Sequence, residues 1–154
     1  MKTKLGKRHP NYSQGEFKPK NINKYRGSHP ILYRSSLELK VMRWFDDNNN
    51  VISWGSESVV IPYFSPIDEK SHRYFVDFVV NLKTKEGEIK KLLIEVKPFK
   101  QTIKPLLSPY KKPTTLMYEN RQYILNQVKW EAAKEWAQKR GYEFLVLTEK
   151  NINR

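Results

Sequence analysis

Three ionisable side chains lie within two apolar segments near the middle of the chain. Asp77 lies within residues 73–79, and Glu95 and Lys97 lie at the end of residues 92–97. Charged groups are rarely buried without a compensating partner, so two acids and a lysine in neighbouring apolar segments indicate a shared ligand. A divalent metal ion is the natural ligand, because Mg²⁺ is held by one or two carboxylates together with phosphate oxygens.

These residue types fit the hydrolysis of a phosphodiester. A bound metal ion lowers the pKa of its water and polarises the phosphoryl oxygen. Two roles are open to Lys97. Either its pKa is depressed by desolvation and it takes the proton of the attacking water, or its positive charge stabilises the transition state.

Strand geometry predicts how the acids meet. Side chains alternate across a strand, so Glu95 and Lys97 point to the same face, and an antiparallel neighbour brings Asp77 within reach of the same metal ion. Glu38 lies in the first turn of a helix that starts near Ser35. From there it is placed to reach the metal ion directly or through water.

Each of these acids also has a structural interpretation. Ser35 and Glu38 have the spacing of a capping box, in which the Glu side chain closes back on the start of the helix. Asp77 could instead form a buried salt bridge, and Glu95 with Lys97 could form a solvent-facing pair on an edge strand. The joint placement of acids on two apolar strands, after a helix with a first-turn Glu, favours the metal site.

The overall charge favours a polyanionic partner, with a basic surface that lacks any specific partner as the alternative. The chain has 154 residues, with 29 Lys and Arg against 16 Asp and Glu and a net charge of +13. It has no long uncharged apolar stretch, lipidation motif or signal-peptide run, so membrane binding is not expected. The absence of cysteine excludes disulfides and cysteine-ligated zinc, and it suits a reducing cytoplasm.

The positive charge is concentrated near the N-terminus, where the first 40 residues carry ten Lys and Arg and two Glu, a net charge of +8. We predict an extended basic N-terminal arm over residues 1–33 that follows a phosphate backbone or packs on a partner, and a folded domain over residues 34–154. Tyr12, Phe17 and Tyr25 are placed to stack on bases or to pin the arm to the fold. Pinning is favoured for at least one of them.

Two helices are predicted from apolar periodicity. The first starts near Ser35, and the second spans about residues 117–140, with Gly141 where a C-terminal cap is expected. The predicted apolar faces consist of Leu37, Val41, Trp44 and Phe45 in the first helix and Leu125, Val128, Ala132 and Trp136 in the second.

Strands are predicted for the remaining apolar segments. Residues 73–82 are apolar on both faces, as expected of a central strand, and residues 83–88 form a hairpin connection to a strand at 89–97. The proline-rich segment 98–113 predicts a loop beside the site, of a kind that is often functional. The predicted fold class is α/β, a central mixed β-sheet flanked by helices in the order α-β-β-β-α-β. Further strands are predicted at residues 57–63 and 143–148, and residues 51–54 form a short apolar segment that turns at Gly55.

Six short motifs can be compared with known families: Ser36-Leu37-Glu38, Trp54, Ile61-Pro62-Tyr63 and residues 72–78, 93–98 and 141–149. Together they resemble the PD-(D/E)xK nuclease superfamily. Within it, the layout is similar to the TnsA-like transposon endonucleases and is most similar to the head completion nucleases of tailed bacteriophages. The resemblance covers about residues 34–149 and departs from the pattern at Val76, where the name-giving proline is expected.

The resemblance implies a restriction-endonuclease-like core and Mg²⁺-dependent cleavage of double-stranded DNA, with Mn²⁺ as a substitute. By motif position it implies metal binding by Asp77 and Glu95, assisted by Glu38 and the backbone carbonyl of Val96. The implied catalytic residues are these three acids and Lys97.

Nine basic side chains are candidate DNA contacts. For two of them another interpretation is open: His72 as a loop histidine without a role, and Lys129 as a solvent-facing side chain, which is slightly favoured. The candidates are Lys18, Lys20, Lys24, Arg26, Arg34, His72, Lys100, Lys104 and Lys129.

The phage resemblance implies an endonuclease of head completion, acting on packaged DNA ends or on the head before tail joining. Its expected partners are double-stranded DNA and phage head or portal proteins, and its expected location is the cytoplasm of the infected bacterial host, with virion association as a second location. Because no base-reading recognition helix is found, specificity is expected to be weak or directed by DNA structure. The alternatives are a TnsA-like transposon-end or repair endonuclease and a non-catalytic DNA-binding virion head or neck protein.

Overall fold

A computed structural model describes residues 14–152 of the chain. In chain order the strands are β1 (Gly15–Glu16), β2 (Leu32–Tyr33), β3 (Val51–Ser56), β4 (Val60–Ser65), β5 (Lys70–Phe75), β6 (Phe78–Lys83), β7 (Ile89–Val96) and β8 (Glu143–Leu147). The helices are α1 (Ser36–Asp47), α2 (Pro113–Arg140) and α3 (Glu149–Ile152), with short 3₁₀ turns at Ile22–Lys24 and Phe99–Gln101.

The main sheet has the strand order β3-β6-β7-β8. β6 pairs antiparallel with β3 and β7, and β7 pairs parallel with β8. Its central strands are apolar on both faces, so each face has its own core. Phe45 of α1 packs near Phe78 on one face, and Trp130 of α2 packs near Leu93 on the other. The predicted fold class, a mixed sheet flanked by helices, is confirmed.

The strand predicted at residues 73–82 is in fact two strands. The chain leaves strand conformation at Val76 and Asp77, so β5 ends before them and β6 begins after them. β5 pairs with β4 in a hairpin that forms a separate two-stranded sheet. The prediction was wrong because a continuous apolar run does not reveal a change of partner strand. Five strands separate α1 from α2, in place of the three in the predicted order, because this run divides and residues 51–56 also form a strand, β3.

The two long helices have nearly the predicted ends, and the predicted buried face is partly correct for α1, through Val41 and Phe45, but not for α2. Ser35 is the N-cap of α1, and Gly141 ends α2 with a left-handed φ of 74°. α2 begins at Pro113, a little earlier than predicted, because proline is well suited to the first turn of a helix. Within residues 14–152, none of the helices is both long enough and apolar enough to cross a bilayer.

The buried faces differ because packing partners, and not periodicity alone, set how a helix is rotated. In α1, Trp44 is exposed and Met42 is buried. α2 packs on both β4 and β8, and the predicted apolar stripe lies only partly buried at the flank of this contact. The buried face of α2 consists of Asn126, Trp130, Ala133 and Ala137.

Residues 14–33 of the predicted arm pack on the domain. β1 and β2 pair antiparallel, and the rings of Phe17 and Tyr25 lie 6.0 and 4.8 Å from the ring of Trp54. Pinning is therefore confirmed for Phe17 and Tyr25, whereas Tyr12 lies outside the described residues. The division of the chain into an arm of residues 1–33 and a nuclease domain of residues 34–154 stays a prediction.

Candidate active site

Asp77 and Glu95 meet where β6 begins and β7 ends. Phe78 of β6 lies opposite Ile94 of β7, and one step further along this register Asp77 comes opposite Glu95. The backbone N–H of Val96 donates to Asp77 Oδ2 at 2.8 Å. The break between β5 and β6 thus places Asp77 directly against the end of the strand that carries Glu95.

The Glu95 carboxylate is almost completely buried but poorly compensated. It is 4% exposed, and Trp130 Nε1 donates to Glu95 Oε2 at a long 3.5 Å. Glu95 Oε1 has no hydrogen-bond partner among residues 14–152. A buried carboxylate that lacks donors is costly, so this oxygen is available to a ligand that the protein chain does not itself supply.

The acids at this end of the sheet crowd one another. Burial raises the pKa of Asp77 well above its ordinary range, and the neighbouring Glu95 charge raises it further. Burial, followed by the charge of Asp77, raises the pKa of Glu38 to about 7. Carboxylates that share a low-dielectric site resist simultaneous ionisation. A bound cation would relieve this repulsion.

Glu38 takes part in the N-cap of α1 and also lies near Asp77. Its backbone N–H donates to Ser35 Oγ at 3.1 Å, which confirms the N-cap, and the Ser35 hydroxyl donates to Glu38 Oε2 at 3.2 Å. At the same time its pKa responds to the charge of Asp77, so its carboxyl lies near the acid pair. The cap fixes Glu38 at the rim of the site.

Two lysines approach the acids from different elements. Lys97 follows β7, and its backbone N–H donates to the Leu147 carbonyl at 3.0 Å. Lys129 Nζ lies 5.7 and 5.8 Å from the ring centres of Tyr63 and Tyr74. Burial, followed by the charge of Lys97, lowers the pKa of Lys129. The slight preference for a solvent-facing Lys129 was therefore wrong, because α2 turns this side chain toward the site.

Three of the predicted DNA contacts bind the protein itself, and Lys18 and Lys20 also form surface ion pairs, with Glu16 at 4.0 Å and Asp47 at 3.7 Å. Lys24 Nζ donates to the carbonyls of Asp46 and Asn48 at 3.0 and 2.7 Å and so caps the end of α1. Arg34 pairs with Glu57, and Arg26 donates to nearby backbone carbonyls. The structure shows Lys18, Lys20, Lys100 and Lys104 as exposed side chains.

His72 lies on β5 and not in a loop as one interpretation had it. Its Nε2 lies 2.7 Å from Asp68 Oδ2, and its ring stacks on Tyr63 with the ring centres 5.7 Å apart. These contacts hold His72 on the face of the β4–β5 hairpin that also carries Tyr63 and Tyr74.

Sequence reasoning missed Tyr74 and Trp130. Trp130 contacts Glu95, and the buried Tyr74 hydroxyl has no hydrogen-bond partner among residues 14–152. Burial, followed by the charges of Glu95 and Asp77, raises the pKa of Tyr74. No local pattern indicated that Tyr74 is buried on β5, whose first four residues are exposed, or that Trp130 contacts Glu95.

The donor set suits a hard divalent cation. Within residues 14–152, no three His, Cys, Asp or Glu side chains come close enough to enclose a metal ion on their own. Asp77 and Glu95 form a pair of carboxylates, and Glu95 Oε1 has no hydrogen-bond partner among the residues that the structure describes. A pair is sufficient for Mg²⁺, which keeps several waters and binds phosphate oxygens of the substrate.

Comparison with known proteins decides the family. Residues 48–149 match the family described as TnsA-like endonuclease N terminal. The chain belongs to this family. The matched residues of this TnsA-like endonuclease include Asp77, Glu95 and Lys97, while Glu38 precedes them.

A curated relative extends the similarity over most of the chain. The head completion nuclease of Enterobacteria phage T4 is 40% identical over 147 residues, which cover 90% of this chain and 92% of the relative. The predicted resemblance and the predicted endonuclease activity are confirmed. Nucleases of this kind are in general metal-dependent.

Proposed function

We propose that this TnsA-like endonuclease uses Mg²⁺ to cleave double-stranded DNA during phage head completion. The observation that carries the proposal is the pairing of Asp77 with Glu95 near Lys97, where Glu95 Oε1 is buried and has no hydrogen-bond partner in the described part of the chain. The similarity to a head completion nuclease over 90% of the chain supplies the biological setting. Phage head or portal proteins are proposed partners, and the cytoplasm of the infected host is the proposed location.

Asp77 and Glu95 are the residues that would hold Mg²⁺, or Mn²⁺ in its place. Glu38 would assist through water, since it is linked to Asp77 by charge but does not complete a three-residue cluster. The backbone carbonyl of Val96 is a further proposed ligand. When bound, the metal ion supplies a Lewis acid and a water of lowered pKa.

The protein groups around this pair orient it. The Val96 N–H holds one oxygen of Asp77, and Trp130 Nε1 contacts one oxygen of Glu95, while Glu95 Oε1 has no hydrogen-bond partner within residues 14–152. Both contacts come from ordered elements, β7 and α2. A site held in this way needs little rearrangement when a charged substrate arrives.

Lys97 and Lys129 supply positive charge on the side of the site toward α2. Their mutual repulsion contributes to the lowered pKa of Lys129, and a phosphate between them would remove that repulsion. Lys97 is the proposed catalytic cation. The lowered pKa of Lys129 increases its neutral fraction, so its Nζ is a second candidate to accept a proton at this site.

The proposed backbone contacts to duplex DNA are exposed basic side chains. Lys18, Lys20, Lys100, Lys104 and His72 present charge or donors to solvent. Contacts of this kind position DNA without reading its sequence, which agrees with the weak sequence specificity expected.

Nicking of supercoiled plasmid tests the proposal. We expect nicked and linear products with Mg²⁺ and none with EDTA, and we expect Asp77→Asn to bind plasmid without cutting it. Glu131→Gln, an exposed acid on α2 away from the site, is the matched control and should cut normally. Plasmid binding without cleavage by the unaltered chain, or full cleavage in EDTA, would contradict the proposal.

A further inference from the structure

A second concave site adjoins the acid pair. A cavity of about 500 Å³ lies between residues 98–112 and the first half of α2, and Lys97 lines it. Lys97 therefore belongs both to the proposed catalytic centre and to this cavity. An occupant of the cavity would therefore lie beside the proposed catalytic lysine.

The rim of the cavity is basic. Lys100, Lys104 and Lys111 line it together with Lys97. Lys111 Nζ is held by Glu119 Oε1 at 3.0 Å and by the Leu106 carbonyl at 2.8 Å, so it fixes the shape of the loop. Lys100 and Lys104 form no ion pair with another residue in the described part of the chain, 14–152. They remain available to the phosphates of a strand that enters here.

The wall formed by α2 carries aromatic and amide side chains. Tyr118, Gln122, Tyr123 and Asn126 line it on successive turns. Asn126 is only 5% exposed, and its side chain forms no hydrogen bond with the described residues, although it borders the cavity. Aromatic rings stack on bases, and amides pair with base edges, so this wall has the chemistry of a base-binding site.

The size of the cavity favours an unpaired base over a base pair. A volume of about 500 Å³ admits one nucleotide but not a base pair with its two backbones. Enzymes that accommodate single bases act on unpaired nucleotides or take a base out of the stack. Duplex DNA alone would leave the cavity unfilled.

The outer tip of the loop supports strand separation. Leu107 and Tyr110 are 84% and 94% exposed, next to the exposed Leu106. Apolar side chains of this kind act as wedges that unstack neighbouring base steps. Their position among lysines gives charge complementarity to DNA and argues for a nucleic-acid occupant.

We propose that the cavity between residues 98–112 and α2 binds one unpaired nucleotide adjacent to the scissile phosphate, so that the enzyme prefers branched or frayed DNA ends to continuous duplex. The inference rests on the proposed nuclease site, because Lys97 joins the two. Tyr118 stacks on the base, Asn126 and Gln122 bind its edge, and Lys100 and Lys104 hold the flanking phosphates.

Binding in EDTA tests the pocket without any cleavage. A forked duplex and a fully paired duplex of the same sequence are compared by fluorescence anisotropy, with 2-aminopurine at the first unpaired position of the fork. We expect the fork to bind about tenfold more tightly and its 2-aminopurine to be quenched by stacking. The double variant Tyr118→Ala/Gln122→Ala, both exposed positions, should lose the quenching and most of the preference.

Gln127→Ala is the matched control, because Gln127 is exposed on α2 and does not line the cavity. It should keep the preference for the fork. Equal affinity for the two DNAs, or quenching that survives in the double variant, would overturn the inference. Asn126→Ala serves as a further test if its circular dichroism spectrum matches that of the unaltered chain. The Tyr118→Ala/Gln122→Ala double variant decides whether the inference holds, because both positions are exposed.

Cleavage with Mg²⁺ separates this inference from the proposed function. If the enzyme cleaves plasmid but cleaves forked and paired oligonucleotides at equal rates, the nucleotide-binding inference is overturned and the proposed nuclease function still holds. A fork preference in EDTA combined with no cleavage of any DNA would support the pocket and overturn the proposed function.

Discussion

Asp46 and Glu95 are both buried acids, 3% and 4% exposed, but the chain compensates them in opposite ways. The Asp46 carboxylate accepts the backbone N–H groups of Lys20 at 2.8 Å and Asn21 at 2.9 Å. Glu95 receives one long contact from Trp130 and keeps an oxygen without a partner in the described residues.

The difference separates a structural acid from a functional one. Asp46 lies in the last turn of α1, where a negative charge is unfavourable, yet the N-terminal segment supplies two donors that satisfy it. Asp77 and Glu95 lie side by side with a single short backbone contact between them, from Val96. An acid that folding leaves short of donors is held ready for a ligand from solution, and the pKa of Asp77 is raised accordingly.

The largest expected effect is on the rate of DNA cleavage when one acid of the Asp77–Glu95 pair is replaced. Asp77→Asn should lower the rate of plasmid cleavage by about 10³-fold, because it removes a proposed metal ligand. Stability should not fall, since the amide oxygen still accepts the Val96 N–H and a crowded charge is gone. Cleavage kinetics and thermal unfolding in EDTA measure the two quantities. A variant that unfolds early would mean that Asp77 is a structural acid like Asp46.

Asp46→Asn should show the opposite pattern. It replaces a charged acceptor of two backbone N–H groups by an amide, and we expect unfolding in urea to become easier by about 3 kcal/mol. Cleavage per folded molecule should stay within about twofold of the unaltered chain, because the acid pair is untouched. If Asp46→Asn loses activity but keeps normal stability, Asp46 is not a purely structural acid and the contrast with the Asp77–Glu95 pair fails.

Glu38 extends the comparison of buried acids to the pH dependence of folding stability. Its folded pKa of about 7 lies above the ordinary 4.5, so its contribution to stability is present below pH 4.5 and is lost as the pH rises through 7. Glu38→Gln should therefore leave stability near pH 4 unchanged and raise it by about 2 kcal/mol at pH 8 without divalent ions. Urea unfolding at several pH values measures this, with Glu131→Gln as control. A pH-independent difference would contradict the burial of the Glu38 charge.

The smallest expected effect is stabilisation by the metal ion. At pH 8, Mg²⁺ at ten times its dissociation constant should stabilise the folded chain by about 1.4 kcal/mol, seen as a higher Tm. The effect should shrink at pH 5.5, because protons then compete for carboxyls of raised pKa. It should vanish in Asp77→Asn and persist in Asp46→Asn. Equal stabilisation of both variants would place the ion elsewhere.

Local patterns in the sequence were enough to locate the acids. The Ser35 cap, the hairpin at residues 83–88 and the Gly141 end of α2 all follow from short-range rules of backbone and turn chemistry, and the structure confirms them. The alternation of side chains along a strand placed Glu95 and Lys97 on one face. Periodicity failed for α2, because that helix has apolar residues over a wide arc and its rotation depends on β4 and β8.

What the sequence by itself determined is the identity of the acids, the basic character and the family motifs, since these reside in residue types and short spacings. Only the tertiary structure decided that the chain breaks at Val76 and Asp77, that α2 turns Lys129 and Trp130 toward Glu95, and that residues 14–33 supply the donors for Asp46. The physical reason is that burial and charge compensation are set by segments distant in the chain, and no window of neighbouring residues contains them.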